Sequence, residues 1–292
     1  MRSEAKQIKK LLYVADWYTK HVYVYDYASG KLEGQLKDFT APSGFCVDSA
    51  GDIWITDLDR DEVIEYAHGG TTPLKTLPTK GGADGCSVAP NGNLAVSNLT
   101  TTSGGGTIAV FKRATGHPLI YSSSTCSQPS PPGYDSKGNL YLTTWFSAMN
   151  YVCELPAHGT SLRTVKITGS YGTFTSTSVM WDGEHLALTA LGRTEQVIMN
   201  RVTESRSGDL TVVGQTTLTD PCASRGPEVL EPFIVGKKNT PDNNVEGTSV
   251  VGGVASCYNR VDTWHYPAGG EPARTIPKAP KWPYSQGVSI SD

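Results

Sequence analysis

No run of apolar residues in this 292-residue chain approaches the roughly 18 needed to cross a bilayer as a helix. No stretch of ten or more residues carries a helical stripe either, which argues against a helical bundle. Charge is sparse: charged residues make up 18% and the formal net charge is −3. A nucleic-acid partner is not expected, because the basic footprint of such binders is missing. The short basic run "KQIKK" (6–10) reads as part of a solvated N-terminal arm over residues 1–10. The N-terminus has no signal-peptide core, as in a mature or trimmed chain, and a cytoplasmic origin stays open. Gly-x-Ser-x-Gly, phosphate-loop and dinucleotide fingerprints are absent, and "GGADG" and "TSGGGT" follow the wrong elements and read as turns. The six cysteines, Cys46, Cys86, Cys126, Cys153, Cys222 and Cys257, form no CxxC or Cys/His zinc pattern. Disulfides and buried thiols both fit. We expect at least one disulfide, and with it an oxidising, extracytoplasmic compartment.

What is plentiful is glycine (31) and proline (18), set between many short apolar runs. That pattern indicates an all-β fold. The chain also repeats itself. "FCVDSAGDIWITD" (45–57) matches "CSVAPNGNLAVSN" (86–98), "GYDSKGNLYLTT" (133–144) and "VMWDGEHLALTA" (179–190). The turn glycines Gly51, Gly92, Gly138 and Gly183 are spaced by 41, 46 and 45 residues. A second phrase, "EYAHGGTTP" in 62–77, recurs as "CELPAHGTS", "TWHYPAGGEP", "VFKRATGHP" and "VYDYASGK". Each unit is a four-stranded antiparallel meander, the size of a propeller blade. Six second strands can be counted, starting at Leu11, Asp52, Asn93, Asn139, His185 and Thr248. The segment "KKNTPDNNVEG" (237–247) reads as an inserted surface loop. The chain opens on a second strand and ends on "GVSISD" (287–292), which reads as an orphan first strand. Joining the two closes a ring and removes two exposed sheet edges. We expect one six-bladed β-propeller over residues 11–292.

"PSGFCVDSAGDIWITDLDRDEVIEYAHGG" resembles an NHL-type repeat, with the likeness strongest over residues 11–145. The chain as a whole resembles NHL-repeat and gluconolactonase-like propellers, and uncharacterised bacterial secreted propellers that carry the "EYAHGGTTP" phrase. The resemblance implies a fold more than an activity, because propellers host unrelated functions.

His68 and His158 occupy equivalent third-to-fourth-strand turns, and His117 and His265 lie near the same place, so these rings read as rim residues. Function is expected where the second-to-third-strand loops and the blade-to-blade loops share one face. Aromatic and charged residues are frequent there. Trp17, Tyr18, Asp57, Asp84, Trp145, Phe146, Tyr171, Arg193, Tyr258 and Trp282 are the ligand-binding candidates. The first expectation is a non-catalytic, cofactor-free binding module for a carbohydrate, peptide or protein. The alternative, implied by the gluconolactonase likeness, is a calcium- or metal-dependent hydrolase or lyase with Asp84 and Glu231 among its ligands. Against that alternative, Ser43, Ser130, Ser176 and Ser285 stand at the level where the metal ligands would converge, and "DLDRDE" lacks calcium-loop spacing. Chain-order pairing, 46–86, 126–153 and 222–257, is one of 15 disulfide connectivities. Assembly through the rim is not excluded.

Overall fold

The computed structural model describes residues 1–101, 104–144, 151–169, 176–191, 196–206, 208–219, 229–235, 244–250, 260–277 and 285–291. Among them there are strands and short 3-10 turns and no α-helix. Among the described residues, no helix is long and apolar enough to cross a membrane.

The strands follow one another as antiparallel meanders. The first is β1 (Leu11–Asp16), β2 (His21–Asp26) and β3 (Leu32–Leu36). Next come β4 (Pro42–Val47), β5 (Ile53–Asp57), β6 (Glu62–Tyr66) and β7 (Pro73–Pro78). Then β8 (Ala83–Val88), β9 (Leu94–Asn98), β10 (Thr107–Phe111) and β11 (Leu119–Tyr121) form a sheet. An eight-stranded sheet is two meanders abutted. These are β12 (Gly133–Tyr134), β13 (Leu140–Leu142), β14 (Tyr151–Leu155) and β15 (Arg163–Thr168), then β16 (Ser176–Trp181), β17 (Leu186–Leu191), β18 (Gln196–Glu204) and β19 (Leu210–Thr219). A two-residue parallel pairing of β15 with β19 joins them. The last meander is β20 (Val229–Val235), β21 (Asn244–Val250), β22 (Arg260–His265) and β23 (Arg274–Pro277). The strand β24 (Ser285–Ser291) pairs antiparallel with β1, from Leu11 opposite Ser291 to Asp16 opposite Ser285. This is the all-β propeller expected from the repeats.

The expected glycine turns need a left-handed residue between first and second strands. Gly51, Gly92, Gly138 and Gly183 supply it, with φ from 82° to 96°. Second strands are buried on both faces: every residue of β1, β5 and β9 is buried. Alternation then shares one strand between two cores. Leu11, Tyr13 and Ala15 pack towards Ile53, Ile55 and Ile64, whereas Leu12 and Val14 pack with Val261, Ile276 and Val288. Equivalent clusters lie between each later pair of neighbouring meanders. Fourth strands such as β7 are largely exposed. The first strands approach one another in sequence, β24 to β4, β4 to β8, β8 to β12, β12 to β16, β16 to β20 and β20 to β24. Glycines permit this. A Cβ on Gly287 would stand 2.5 Å from the Ser43 carbonyl oxygen, and one on Gly44 2.5 Å from that of Asp84.

Three local expectations change. The N-terminal arm is docked rather than solvated. Ala5 is fully buried, Arg2 donates its amide to the Glu33 carbonyl at 2.8 Å, and both ring nitrogens of His68 are engaged. The arm carries apolar Ala5 and Ile8 beside its lysines, and Gly69, whose missing side chain leaves room for the Ala5 carbonyl, gives the arm its seat. The predicted loop 237–247 is shorter, because Asn244–Gly247 extend β21 to match β22 as far as His265. Glu231 lies inside β20, opposite Thr248, rather than before the strand.

Candidate functional site

The loop face begins where the second strands end. Asp57 closes β5, is fully buried, and accepts amide hydrogens from Thr40 and Ala41 at 2.8 Å each. Arg60 Nε stands 3.8 Å from the same carboxylate, and its Nη1 is 3.7 Å from Glu62. Burial pushes the Glu62 carboxyl above its ordinary range, and Arg60 opposes that shift. The "DLDRDE" carboxylates at 57 and 62 thus face amides and a guanidinium. Asn98 is used similarly: its Nδ2 donates to the Thr79 carbonyl and to Thr107 Oγ1. Asp16 accepts the Thr19 amide at 2.9 Å and so shapes the β1–β2 turn. On that turn Trp17 and Tyr18 are 47% and 69% exposed, while most other rings of the first meanders are buried.

Asp84 lies on the innermost strand β8 and is 6% exposed. Ser43 Oγ donates to its Oδ1 at 3.1 Å, across from β4. Ser130 Oγ is 2.6 Å from Thr143 Oγ1. Ser43 and Ser130 of the expected ring are therefore bonded within the scaffold, and Ser176 and Ser285 open β16 and β24. A repeating set not anticipated from the sequence does the stitching. Thr56 Oγ1 accepts the Gly44 amide at 2.8 Å and lies 2.9 Å from the Asp84 carbonyl. Ser97 accepts the Gly85 amide, Thr143 pairs with Ser130, and Thr189 accepts the Ser178 amide. The signal was available: each of these hydroxyls is the residue before the last position of the matched segments "IWITD", "LAVSN", "LYLTT" and "LALTA".

Trp17 and Tyr18 share one turn, and Ser43 and Asp84 share one contact. Asp57 belongs to neither pair, since its partners are backbone amides and Arg60. Trp145, Phe146, Tyr171, Arg193, Tyr258 and Trp282 lie outside the described residues, as do Cys222, Cys257 and the Glu231 side chain. Two of the expected disulfides are present, Cys46–Cys86 and Cys126–Cys153. Among the described residues, Asp48, Asp52 and Glu65 bring carboxylate oxygens within 4.8 Å of one another. Asp48 there accepts the Ala50 and Asp52 amides, and Glu65 pairs with Lys75 at 3.1 Å.

No family model matches the chain, and no curated protein does. Solved structures match throughout. A chain of a nidogen/laminin complex aligns over 97% of this chain and 98% of its own length, with a TM-score of 0.69 and 12% identity. A protein of unknown function from Bacteroides caccae aligns over 97% and 99%, with a TM-score of 0.66 and 12% identity. Virginiamycin B lyase from Staphylococcus aureus aligns over 87% and 76%, with a TM-score of 0.56 and 14% identity. At such identities the likeness is one of fold: this chain is a β-propeller. Its neighbours include both binding partners and enzymes.

Proposed function

We propose that the chain is a six-bladed propeller, closed by β24, that acts as an extracytoplasmic binding module through its aromatic loop face. The blade count is supported by the strand order and by cores that run between successive meanders and back from the last to the first. The compartment is supported by the two disulfides. The binding reading rests on Trp17 and Tyr18, which stand exposed on a short turn between the buried β1 and the half-buried β2. A ring fixed by rigid flanking strands loses little conformational freedom on binding, and its face suits a sugar, a peptide side chain or a protein surface.

One observation favours the second reading, a metal-dependent hydrolase or lyase: Asp84 places a buried carboxylate on an innermost strand. The two readings part under chelation. Glycan and peptide arrays probed with and without chelator test them together. The binding module gives hits that survive chelation and weaken about tenfold, or about 1.4 kcal/mol, in a Trp17→Ala, Tyr18→Ala double variant. Hits lost on chelation, or a calcium-dependent rise in Tm that Asp84→Asn removes, would replace it with the metal-dependent reading.

A further inference from the structure

A cavity of about 470 Å³ lies at the opposite end of the first hairpin from Trp17 and Tyr18. Its walls come from the segment leading into β1, from the β2–β3 turn, and from the ends of β22 and β23 in the neighbouring meander. Among the described residues, three cations, Lys9, Lys10 and Arg274, line it against one carboxylate, Asp26. The surplus is positive, in a chain whose net charge is −3.

These groups are set in place by the fold. Arg274 lies over the Tyr27 ring, 5.7 Å from its centroid, and donates from Nη1 to the Tyr27 carbonyl. Both contacts fix the guanidinium plane, and a fixed planar fork matches a carboxylate or phosphate. Asp26 accepts the Ser29 hydroxyl at 2.6 Å and the Ala28 amide at 2.9 Å. Those bonds, the Ser29 bond foremost, hold its carboxyl below the usual range, so it stays an acceptor. Thr263 also lines the cavity. It is 2% exposed, and its hydroxyl has no hydrogen-bond partner. Its oxygen is closed off where it stands; an unpaired buried hydroxyl is costly, and a χ1 turn towards the cavity would let a ligand satisfy it.

We propose that this cavity binds a small hydroxylated anion, a carboxylate or phosphate carried on a polyol of monosaccharide size. The volume is in the range of small-molecule sites and too large for an inorganic anion alone. The anionic group goes to Arg274 and Lys9. Ligand hydroxyls donate to Asp26, and one pairs with Thr263 once that side chain turns towards the cavity. This site is separate from the aromatic face and stands whether or not that face binds anything.

Isothermal titration at low salt with glucuronate, glucose 6-phosphate, glucose and inorganic phosphate tests it. The expected result is saturable binding of at least one of the two acids, tenfold or more tighter than glucose and than inorganic phosphate. Glucuronate alone identifies the carboxylate as the preferred anion, and glucose 6-phosphate alone the phosphate. Lys9 is exposed, so Lys9→Glu keeps the fold and should weaken the acid at least fivefold. Arg274→Lys, which keeps a charge but not the fork, should weaken it tenfold. Trp17→Ala should leave it unchanged. No binding of either acid, glucose binding as tightly as the acids, inorganic phosphate binding as tightly, or a Lys9→Glu protein that binds like the parent would overturn the proposal.

Discussion

The carboxylate of Asp57 is withdrawn from solvent and takes two amide hydrogens from the strand-to-strand connection that precedes β4. Charge-assisted bonds of this kind are worth more than neutral ones, and removing the acceptor strands both donors. Asp57→Ala should therefore cost about 3 kcal/mol in urea unfolding, at two bonds of about 1.5 kcal/mol each. A loss below a few tenths of a kilocalorie would return Asp57 to the pool of ligand-binding candidates. Glu154 behaves differently. It is 3% exposed on β14 and paired with Arg163 at 2.8 Å, yet burial pushes its carboxyl above the ordinary range, with Arg163 opposing. A folded-state carboxyl that titrates above its unfolded value favours the protonated fold. Its stabilising contribution is complete below the unfolded value, about pH 4.3, and is lost as pH rises through the raised one. Glu154→Gln cannot ionise, so its stability relative to the parent should rise between pH 4 and pH 7. Parallel pH profiles for the two proteins would show that Glu154 does not carry this dependence.

At the scale of strands and turns, the repeat unit was legible because each of its marks has a backbone cause. Positive φ demands glycine at 51, 92, 138 and 183, and burial on both faces demands the continuous apolar runs of β1, β5 and β9. The limits of β21 were not legible. Asn244, Glu246 and Gly247 are poor strand formers, and they pair because β22 offers them partners up to His265, a tertiary effect. The role of Thr56 and its equivalents was present in the repeat but indistinguishable from ordinary β propensity until the close approach of Gly44 to Asp84 was seen. The aromatic face was legible only as composition, because exposure separates Trp17 and Tyr18 from a buried Phe39 on the same side. Between sheets, Cys46–Cys86 ties first strand to first strand across 40 residues. A Cys46→Ser, Cys86→Ser variant should lose about 2–4 kcal/mol, read by denaturant unfolding under non-reducing conditions. Equal stability with and without reductant in the parent protein would mean that the cross-link does not form.

For the whole molecule, the pairing of β24 with β1 concentrates several contacts on one strand. β24 covers the edge of β1, Val288 joins the core shared with Val261 and Ile276, and Gly287 sits against the Ser43 carbonyl of the next sheet. Ser291 adds a tie at the far end. His68 Nε2 lies 2.6 Å from the Ile8 carbonyl, which can only accept, so Nε2 carries the hydrogen and the neutral ring's Nδ1 accepts from the Ser291 hydroxyl at 2.6 Å. One imidazole thereby fastens the N-terminal arm, the closing strand and the β6–β7 turn. Loss of the tie and loss of the strand should differ in kind. His68→Ala removes two hydrogen bonds and leaves β24 paired with β1, so a single cooperative transition should persist with a lower midpoint, by about 2 kcal/mol. Deletion of residues 285–292 uncovers the β1 edge and opens the core shared with Val261 and Ile276, so the cooperative transition itself should disappear and aggregation should follow. Adding the missing segment as a separate peptide should restore the transition by supplying the strand in trans, since an uncovered edge of six residues is a template for it. A truncated chain that still unfolds in one sharp step would show that β24 caps the first sheet without holding the ring.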